Sequence, residues 1–247
     1  MLTYTNELVN LVMDGNSLIF GNATSVANRI GEKLMALAPI NGGMTYKNLA
    51  LGGATFQMML NGSDGSGVAA VHAAFEPGKQ NLLFIMEGVN SANYGRDTAG
   101  IIADCKAYID AVKVVHPEWR IYIITALAFQ NNNAGDEERN AQIDGYNAYL
   151  RTNYTELGAE GFVETRPPGG PLAFTSPYNY SETNFTKSGL YQDATHPNAA
   201  GNSILAQYIA DKLKTIPDVA PGPLQKIARF CAGFLRLRNG APAITKG

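Results

Sequence analysis

Short apolar runs alternate along the chain with segments of helical periodicity, and this alternation restricts the possible fold more than any other feature. The run at residues 81–86, NLLFIM, is typical of a strand covered on both faces of a sheet. Residues 97–116 repeat apolar side chains at helical spacing, and Asp97 is suited to cap that helix. Strands alternating with helices, without a repeat of fixed period, favour a parallel sheet wrapped by helices on both faces. The sequence therefore predicts one α/β domain with three layers.

The predicted elements divide the chain at a proline-containing stretch. The predicted strands comprise residues 8–13, 44–51, 81–86, 120–127 and 161–165. The predicted helices comprise residues 25–37, 68–75, 97–116 and 136–157, and a last helix that opens at His196 and Pro197. The inward stripe of the helix at 97–116 is formed by Ile101, Cys105, Tyr108, Val112 and Val115. Residues 1–216 are expected to form the domain, and residues 217–247 a linker with a basic amphipathic tail.

Composition excludes several classes of partner. The 247 residues are 45% hydrophobic, enough for a sizeable core, whereas a net charge of -2 with 16% charged residues provides no basic face for nucleic acid. No stretch approaches the roughly 20 apolar residues of a transmembrane helix. The amino-terminal residues show no basic flank followed by an apolar stretch, so no signal peptide is predicted. The compartment and the oligomeric state are left open, with a secreted or surface-associated location favoured.

The cysteines and histidines do not suggest a metal site. Cys105 and Cys231 form no CxxC pair, and Cys105 is interpreted as a core thiol. His72 and His116 lack acidic or cysteine neighbours at ligand spacing. We expect His72 on a helix surface and His116 at a helix end.

Residues suited to ester chemistry follow the predicted strands. Ser17 comes after strand one, Gly53 after strand two and Asn90 after strand three, while Asp193 and His196 lie after strand five. The carboxyl ends of parallel strands share one edge of a sheet, so these residues are expected to converge. An acyl-enzyme mechanism needs a nucleophile, a base, a group that orients the base, and donors for the oxyanion. Taken singly, each has a plainer interpretation: Ser17 as turn chemistry or a helix cap, Asn90 as a turn brace, and Gly53 as a positive-φ residue.

Together these blocks resemble the SGNH (GDSL-type) hydrolase family over residues 8 to 216. That family has a Gly-Asp-Ser-Leu turn, a glycine in its second block, a Gly-x-Asn-Asp in its third, and an Asp-x-x-His near the end. The matching blocks here are Gly15-Asn16-Ser17-Leu18, the stretch from Asn48 to Thr55, Gly88-Val89-Asn90-Ser91, and Asp193-Ala-Thr-His196-Pro197. The nucleophile signature Gly-x-Ser-x-Gly of the α/β-hydrolases is absent from the sequence.

Two positions depart from the family pattern. Asn16 stands where the family has aspartate, although Asp14 lies nearby, and Ser91 replaces the aspartate that usually follows the third-block asparagine. These departures concern the hydrogen bonds that shape the two turns. Gly52 and Gly53 are both candidates for the second-block donor, and the spacing from Asn48 favours Gly53.

The resemblance implies a five-stranded sheet in the order 2-1-3-4-5 and a serine esterase that uses neither metal nor cofactor. Ser17 would be the nucleophile, His196 the general base and Asp193 its orienting carboxylate. The amides of Ser17 and Gly53 and the side chain of Asn90 would form the oxyanion hole.

The substrate expected from the sequence is a small-molecule or glycan ester with a short acyl group. The loop at residues 166–191 is rich in aromatic, glycine and proline residues and precedes Asp193, where it would face the crevice. A lipase or thioesterase that works at an interface through residues 224–238, and a non-catalytic binding or structural module on the same fold, are the alternatives.

Overall fold

Five parallel strands form the centre of the molecule. The computed structural model describes residues 9–21, 25–37, 44–62, 66–128, 135–167, 170–172, 189–193 and 195–216. The strands are β1 (Val9–Gly15), β2 (Thr45–Asn48), β3 (Gln80–Met86), β4 (Arg120–Ile124) and β5 (Gly161–Val163), and their order in the sheet is β2-β1-β3-β4-β5. The predicted α/β class and strand order are confirmed.

Helices surround the sheet. They are α1 (Ser17–Phe20), α2 (Ile30–Ala36), α3 (Phe56–Asn61), α4 (Gly67–Ala74), α5 (Val89–Asn93), α6 (Thr98–Val115), α7 (Asp136–Asn153) and α8 (Ala199–Thr215), with 3₁₀ turns at Val26–Asn28 and Tyr154–Leu157. Helix α2 packs against α8, whereas α3, α4, α6 and α7 form a second packed group. Two helical groups on opposite faces are expected where the strand order reverses, here at β1.

Strands β1 and β3 run level at their carboxyl ends. Their register extends from Val9 opposite Gln80 to Gly15 opposite Met86. Gly15 has a φ of 149°, and a Cβ there would lie 2.2 Å from the carbonyl oxygen of Met86. Only glycine lets the two strand ends approach this closely. The segment that follows Gly15 therefore starts directly beside the end of β3.

Several predicted boundaries are shorter in the structure. The second predicted strand, 44–51, is β2 followed by irregular chain, yet the amides of Leu49 and Leu51 still donate to β1 carbonyl oxygens, at 2.8 and 3.0 Å. The predicted strands at 120–127 and 161–165 end at Ile124 and Val163. These strands are shorter than predicted because the chain leaves the hydrogen-bond ladder of the sheet and forms the loops at its carboxyl edge.

Several helix predictions differ from the structure. The predicted helix 136–157 is α7 followed by a 3₁₀ turn, and 25–37 starts with a 3₁₀ turn before α2. Val115, predicted to face inward, is 53% exposed, because it is the last residue of α6, where its neighbour Val114 is exposed as well. Pro197 does not open the last helix: Asn198 caps α8, accepting from the amides of Ala200 and Gly201. Helices α1, α3 and α5 are absent from the sequence prediction.

Cys105 is buried and free, as expected for a core thiol. The tail at 217–247, with Cys231, and most of the loop at 166–191 lie outside the described residues, so the predictions about them stay predictions. Among the described residues, none of the helices is long and apolar enough to cross a membrane.

Candidate active site

Ser17 is the first residue of α1, immediately beyond the end of β1. Asn16 caps this short helix: its side-chain oxygen accepts from the amide of Leu18 at 3.0 Å. The Ser17 amide lies in the first helical turn, where amides have no partner within the helix. Sequence reasoning places Ser17 at the end of strand one, and the structure adds that Ser17 begins a capped helix at the carboxyl edge of the sheet.

The Ser17 hydroxyl meets the imidazole of His196. Ser17 Oγ lies 3.0 Å from His196 Nε2, although 179 positions separate the two residues in the chain. On the other side of the ring, His196 Nδ1 lies 2.9 Å from Oδ2 of Asp193. A neutral ring that donates from Nδ1 to the carboxylate leaves Nε2 free to accept the serine proton. The geometry therefore permits proton transfer from Ser17 to His196.

Asp193 is fixed by the chain that follows it. Its Oδ1 accepts from the amides of Thr195 and His196, at 2.8 and 2.6 Å. Burial by itself raises the pKa of Asp193, but those amide hydrogen bonds and the imidazole outweigh burial and hold the pKa below its ordinary value. Asp193 is thus an ionised partner for the ring at neutral pH.

A short antiparallel bridge holds this segment at the edge of the sheet. Tyr191 pairs with Pro197, the amide of Gln192 donates to the carbonyl oxygen of His196 at 3.0 Å, and that of Asn198 donates to Leu190 at 2.8 Å. Pro197 thus belongs to the bridge rather than to the helix. The bridge therefore fixes the backbone of His196 just before the start of α8.

Gly53 and Asn90 lie on neighbouring turns. Asn90 is in the first turn of α5, and its side-chain amide donates to the carbonyl oxygen of Ala54 at 2.9 Å. Gly53 precedes Ala54, is exposed and has a φ of 80°, and a Cβ added there would meet nothing within 4 Å. Asn90 therefore braces the Gly53 turn, in agreement with the plainer interpretation, and one N–H of its amide remains for a second acceptor.

A family model for the GDSL-like lipase/acylhydrolase family matches residues 15–204. The chain belongs to this family. Its matched region starts at Gly15 and runs past His196 into α8, so it includes every residue of the candidate site. No curated protein matches the chain.

Solved structures with the GDSL fold agree with the architecture. A lipolytic protein of the G-D-S-L family from Veillonella parvula has a TM-score of 0.59 at 14% identity, covering 84% of this chain and 100% of its own. A carbohydrate acetylesterase from Sinorhizobium meliloti has a TM-score of 0.57 at 15% identity, covering 83% and 98%. At these identities the likeness concerns the fold.

At both departures from the GDSL family pattern a side-chain oxygen accepts from a backbone amide. Asn16 supplies the side-chain oxygen that caps α1. At the third block, where Ser91 replaces aspartate, the Ser91 amide donates to Oε1 of Glu87 at 2.9 Å. Both turns therefore have side-chain acceptors, one at the family position and one further upstream.

Two buried carboxyls lie at the ends of β1 and β3, and sequence reasoning missed their importance. Asp14 accepts from the Gly15 amide at 2.8 Å and from the Tyr108 hydroxyl at 2.5 Å. Burial raises the pKa of Asp14 to about 6, against the opposing effect of the Tyr108 hydrogen bond. Glu87, the residue after β3, is likewise fully buried. An acidic residue that closes an apolar run was the available signal.

A groove of about 260 Å³ opens beside the Asn90 turn, and we call it the Tyr94 groove. Tyr94 is 66% exposed, and Arg96 makes a two-pronged ion pair with Asp104 at 2.7 and 2.8 Å. The groove is lined by Thr55, Gln57, Met58, Asn61, Ser91, Tyr94, Arg96 and Asp104. Sequence reasoning missed it because α3 and α5, which supply most of its wall, are not part of the sequence prediction.

The two described histidines outside the site have structural contacts. His72 Nε2 lies 3.2 Å from the carbonyl oxygen of Ala111, and His116, the residue that ends α6, stacks on Phe75 with ring centroids 4.0 Å apart. These positions agree with the helix-surface and helix-end roles predicted for them.

Proposed function

We propose that this member of the GDSL family is a serine esterase that hydrolyses carboxylic esters through an acyl-enzyme. The observation that carries the proposal is the continuous hydrogen-bond path from Ser17 Oγ to His196 Nε2 and from His196 Nδ1 to Asp193, at 3.0 and 2.9 Å. A nucleophile, a base and an orienting carboxylate in this order are the requirements of acyl transfer.

In the first half-reaction Ser17 Oγ attacks the acyl carbonyl carbon while His196 Nε2 takes its proton. Asp193 stabilises the imidazolium that forms. The tetrahedral intermediate then collapses, the bond between the acyl carbon and the alkoxy oxygen breaks, and His196 protonates the departing alcohol. In the second half-reaction water attacks the acyl-enzyme by the same route and releases the acid. Every group that these steps use is a side chain, a backbone amide or water.

The developing oxyanion would lie against the amides of Ser17 and Gly53 and the Asn90 carboxamide. The bond from Asn90 to Ala54 supports this assignment because it fixes both turns relative to each other before substrate arrives. Preorganised donors are worth more than mobile ones, since they need no reorganisation during the reaction. Gly53 is preferred over Gly52 as the donor on its spacing from Asn48.

For the substrate, we favour a short acyl ester, such as an acetyl ester, on a carbohydrate. The Tyr94 groove supports this choice: an exposed aromatic ring beside amide side chains can stack on a sugar ring and bond to its hydroxyls. The Sinorhizobium meliloti neighbour, a carbohydrate acetylesterase, is consistent with it at the level of the fold.

An activity-based probe tests the mechanism. A fluorophosphonate should label the wild type and should not label Ser17→Ala. Ser203→Ala, which alters an exposed serine on α8, is the matched control and should label like the wild type. Absence of label on the folded wild type would point to the non-catalytic module.

A substrate panel tests the specificity. Acetate release from acetylated glycans should exceed the hydrolysis of long-chain esters. Tyr94→Ala should raise the KM for the glycan several-fold and leave hydrolysis of p-nitrophenyl acetate unchanged, whereas Val114→Ala, at an exposed site on α6, should alter neither. Preference for long-chain esters would favour the lipase alternative.

A further inference from the structure

Glu87 is a buried carboxyl that the proposed mechanism does not use. It follows the last residue of β3 and has 0% exposure. Its Oε1 accepts from the amide of Ser91 at 2.9 Å. Asn90 immediately precedes Ser91, so the carboxyl lies directly behind the short helix that carries the Asn90 side chain.

We propose that Glu87 is a positioning residue, whose carboxyl holds the first turn of α5 and thereby keeps Asn90 in place at the oxyanion hole. This inference rests on the esterase function proposed above. A backbone amide at the start of a helix needs an acceptor, and here the acceptor is a side chain three residues before Asn90. The same site in the family pattern has an aspartate after the asparagine, and in this chain Ser91 stands there.

The surroundings of Glu87 favour its neutral form. Burial raises the pKa of Glu87 to about 8, while hydrogen bonds from Ser91 and from the backbone N–H of Asn90 oppose the rise. The charged and titratable groups that act on this site are Asp104 and Cys105 of α6 and Tyr146 of α7. Asp104 carries a negative charge, which raises the pKa further, and its own partner is Arg96.

This arrangement predicts a specific pH dependence. Near neutral pH the carboxyl accepts from Ser91 without placing charge behind the oxyanion hole. Once it ionises, a buried negative charge opposes the charge that develops on the substrate oxygen in the transition state. Ionisation should therefore lower kcat and leave KM nearly unchanged.

The experiment is a pH profile of p-nitrophenyl acetate hydrolysis, from pH 6 to 9.5, for four proteins. The wild type should lose kcat about tenfold on the alkaline side, with a midpoint near pH 8. Glu87→Gln keeps an acceptor for Ser91 but cannot ionise, so its alkaline loss should disappear. Glu87→Leu lacks the acceptor and should lose kcat about tenfold or more at every pH.

Asn81→Leu is the matched control. Asn81 is a buried polar residue at the other end of β3. Its replacement should lower the melting temperature and leave the shape of the pH profile unchanged, which separates lost stability from lost positioning.

The outcomes separate this inference from the proposed function. An equal alkaline loss in Glu87→Gln and the wild type, or full kcat in a folded Glu87→Leu, would overturn the positioning role alone. If the folded wild type neither hydrolyses the ester nor reacts with the fluorophosphonate, the esterase proposal fails, and the positioning role fails with it. Should Glu87→Leu not fold, the comparison of the wild type with Glu87→Gln still decides.

Discussion

Strands β1 and β3 bury polar side chains at both ends, and the two ends bury different chemistry. At the amino ends, Asn10 donates to Asn81 at 2.7 Å and to the Ala74 carbonyl oxygen at 2.8 Å. Asn81 in turn accepts from the amide of Glu76 at 2.9 Å. These amides are neutral and hydrogen-bonded, so their burial costs little and does not depend on pH.

At the carboxyl ends the buried polar groups are the acids Asp14 and Glu87. Burial raises the pKa of both, to about 6 and about 8. A buried carboxyl whose pKa is raised in the folded state lowers the unfolding free energy as the pH rises, because the unfolded chain ionises first. Buried acids with raised pKa values lie at the end of β1 and β3 that is next to Ser17 and Asn90. At the other end, the buried side chains described above are neutral amides. This difference supports the proposed active site at the carboxyl edge and gives the amino edge a role in stability alone.

The largest effect expected at the carboxyl edge is that of Asp193→Asn. An asparagine can donate to Nδ1 and favour the wrong imidazole tautomer, so kcat should fall by roughly 10⁴-fold. The loss of kcat is measured by the steady-state hydrolysis of p-nitrophenyl acetate at pH 7.5. Asp211→Asn, which changes an exposed carboxylate on α8, is the control. A loss below tenfold would show that Asp193 does not orient His196.

Asn90→Ala should have the next largest effect. Loss of one oxyanion donor typically lowers kcat by about 10²- to 10³-fold. Since Asn90 also bonds to Ala54, the variant is expected to lose some thermal stability as well. Asn93→Ala, on the same short helix, is the comparison. If Asn90→Ala and Asn93→Ala have the same kcat, Asn90 has only the structural role of holding the Gly53 turn.

The contrast between the two edges also explains what the sequence could predict. Strand β3 is predictable because it is a continuous apolar run, and helix α6 because it has a strong helical period and clear ends. Ser17, Asp193 and His196 stand out because the family blocks occur in order. Helices α3 and α5 are too short for a period and depend on packing, such as Phe56 against the rings of Tyr108 and Tyr146.

The sequence shows that Asp14 and Glu87 each close an apolar run, but it does not show that their pKa values are raised. Asp14 looks like an ordinary strand-ending residue, because its partner Tyr108 lies on α6, far away in the chain. In the sequence Glu87 likewise looks like an ordinary residue at the end of a strand. A shifted pKa depends on what surrounds a group in three dimensions, and local sequence patterns do not contain that information.

At the amino edge, replacing Asn81 with leucine should affect stability and not catalysis. The change leaves the Glu76 N–H without its acceptor and removes one of the two acceptors of the Asn10 side-chain amide, which should cost about 2–4 kcal/mol of unfolding free energy. Urea unfolding measures the loss, and kcat is compared well below the melting temperature. A changed kcat would mean that the two ends of β3 are coupled.

The smallest expected effect concerns Asp14 and the pH dependence of stability. The pKa of Asp14 is raised in the folded state to about 6, so between its unfolded value and about pH 6 the folded protein binds more protons than the unfolded chain. The contribution of this group to the unfolding free energy therefore falls by roughly 3 kcal/mol at most as the pH rises across that window, and it levels off above it.

Asp14→Asn can still accept from the Gly15 amide but cannot ionise, so its urea-unfolding free energy should change less between pH 4 and pH 6.5 than that of the wild type. Asp110→Asn, at an exposed site of α6 where the carboxylate pairs with Lys106, should retain the wild-type dependence on this side of neutrality. If Asp14→Asn and the wild type lose stability in parallel, the pKa of Asp14 is not raised in the folded protein. Glu87 would then be the one acid of this pair whose pKa is raised by burial.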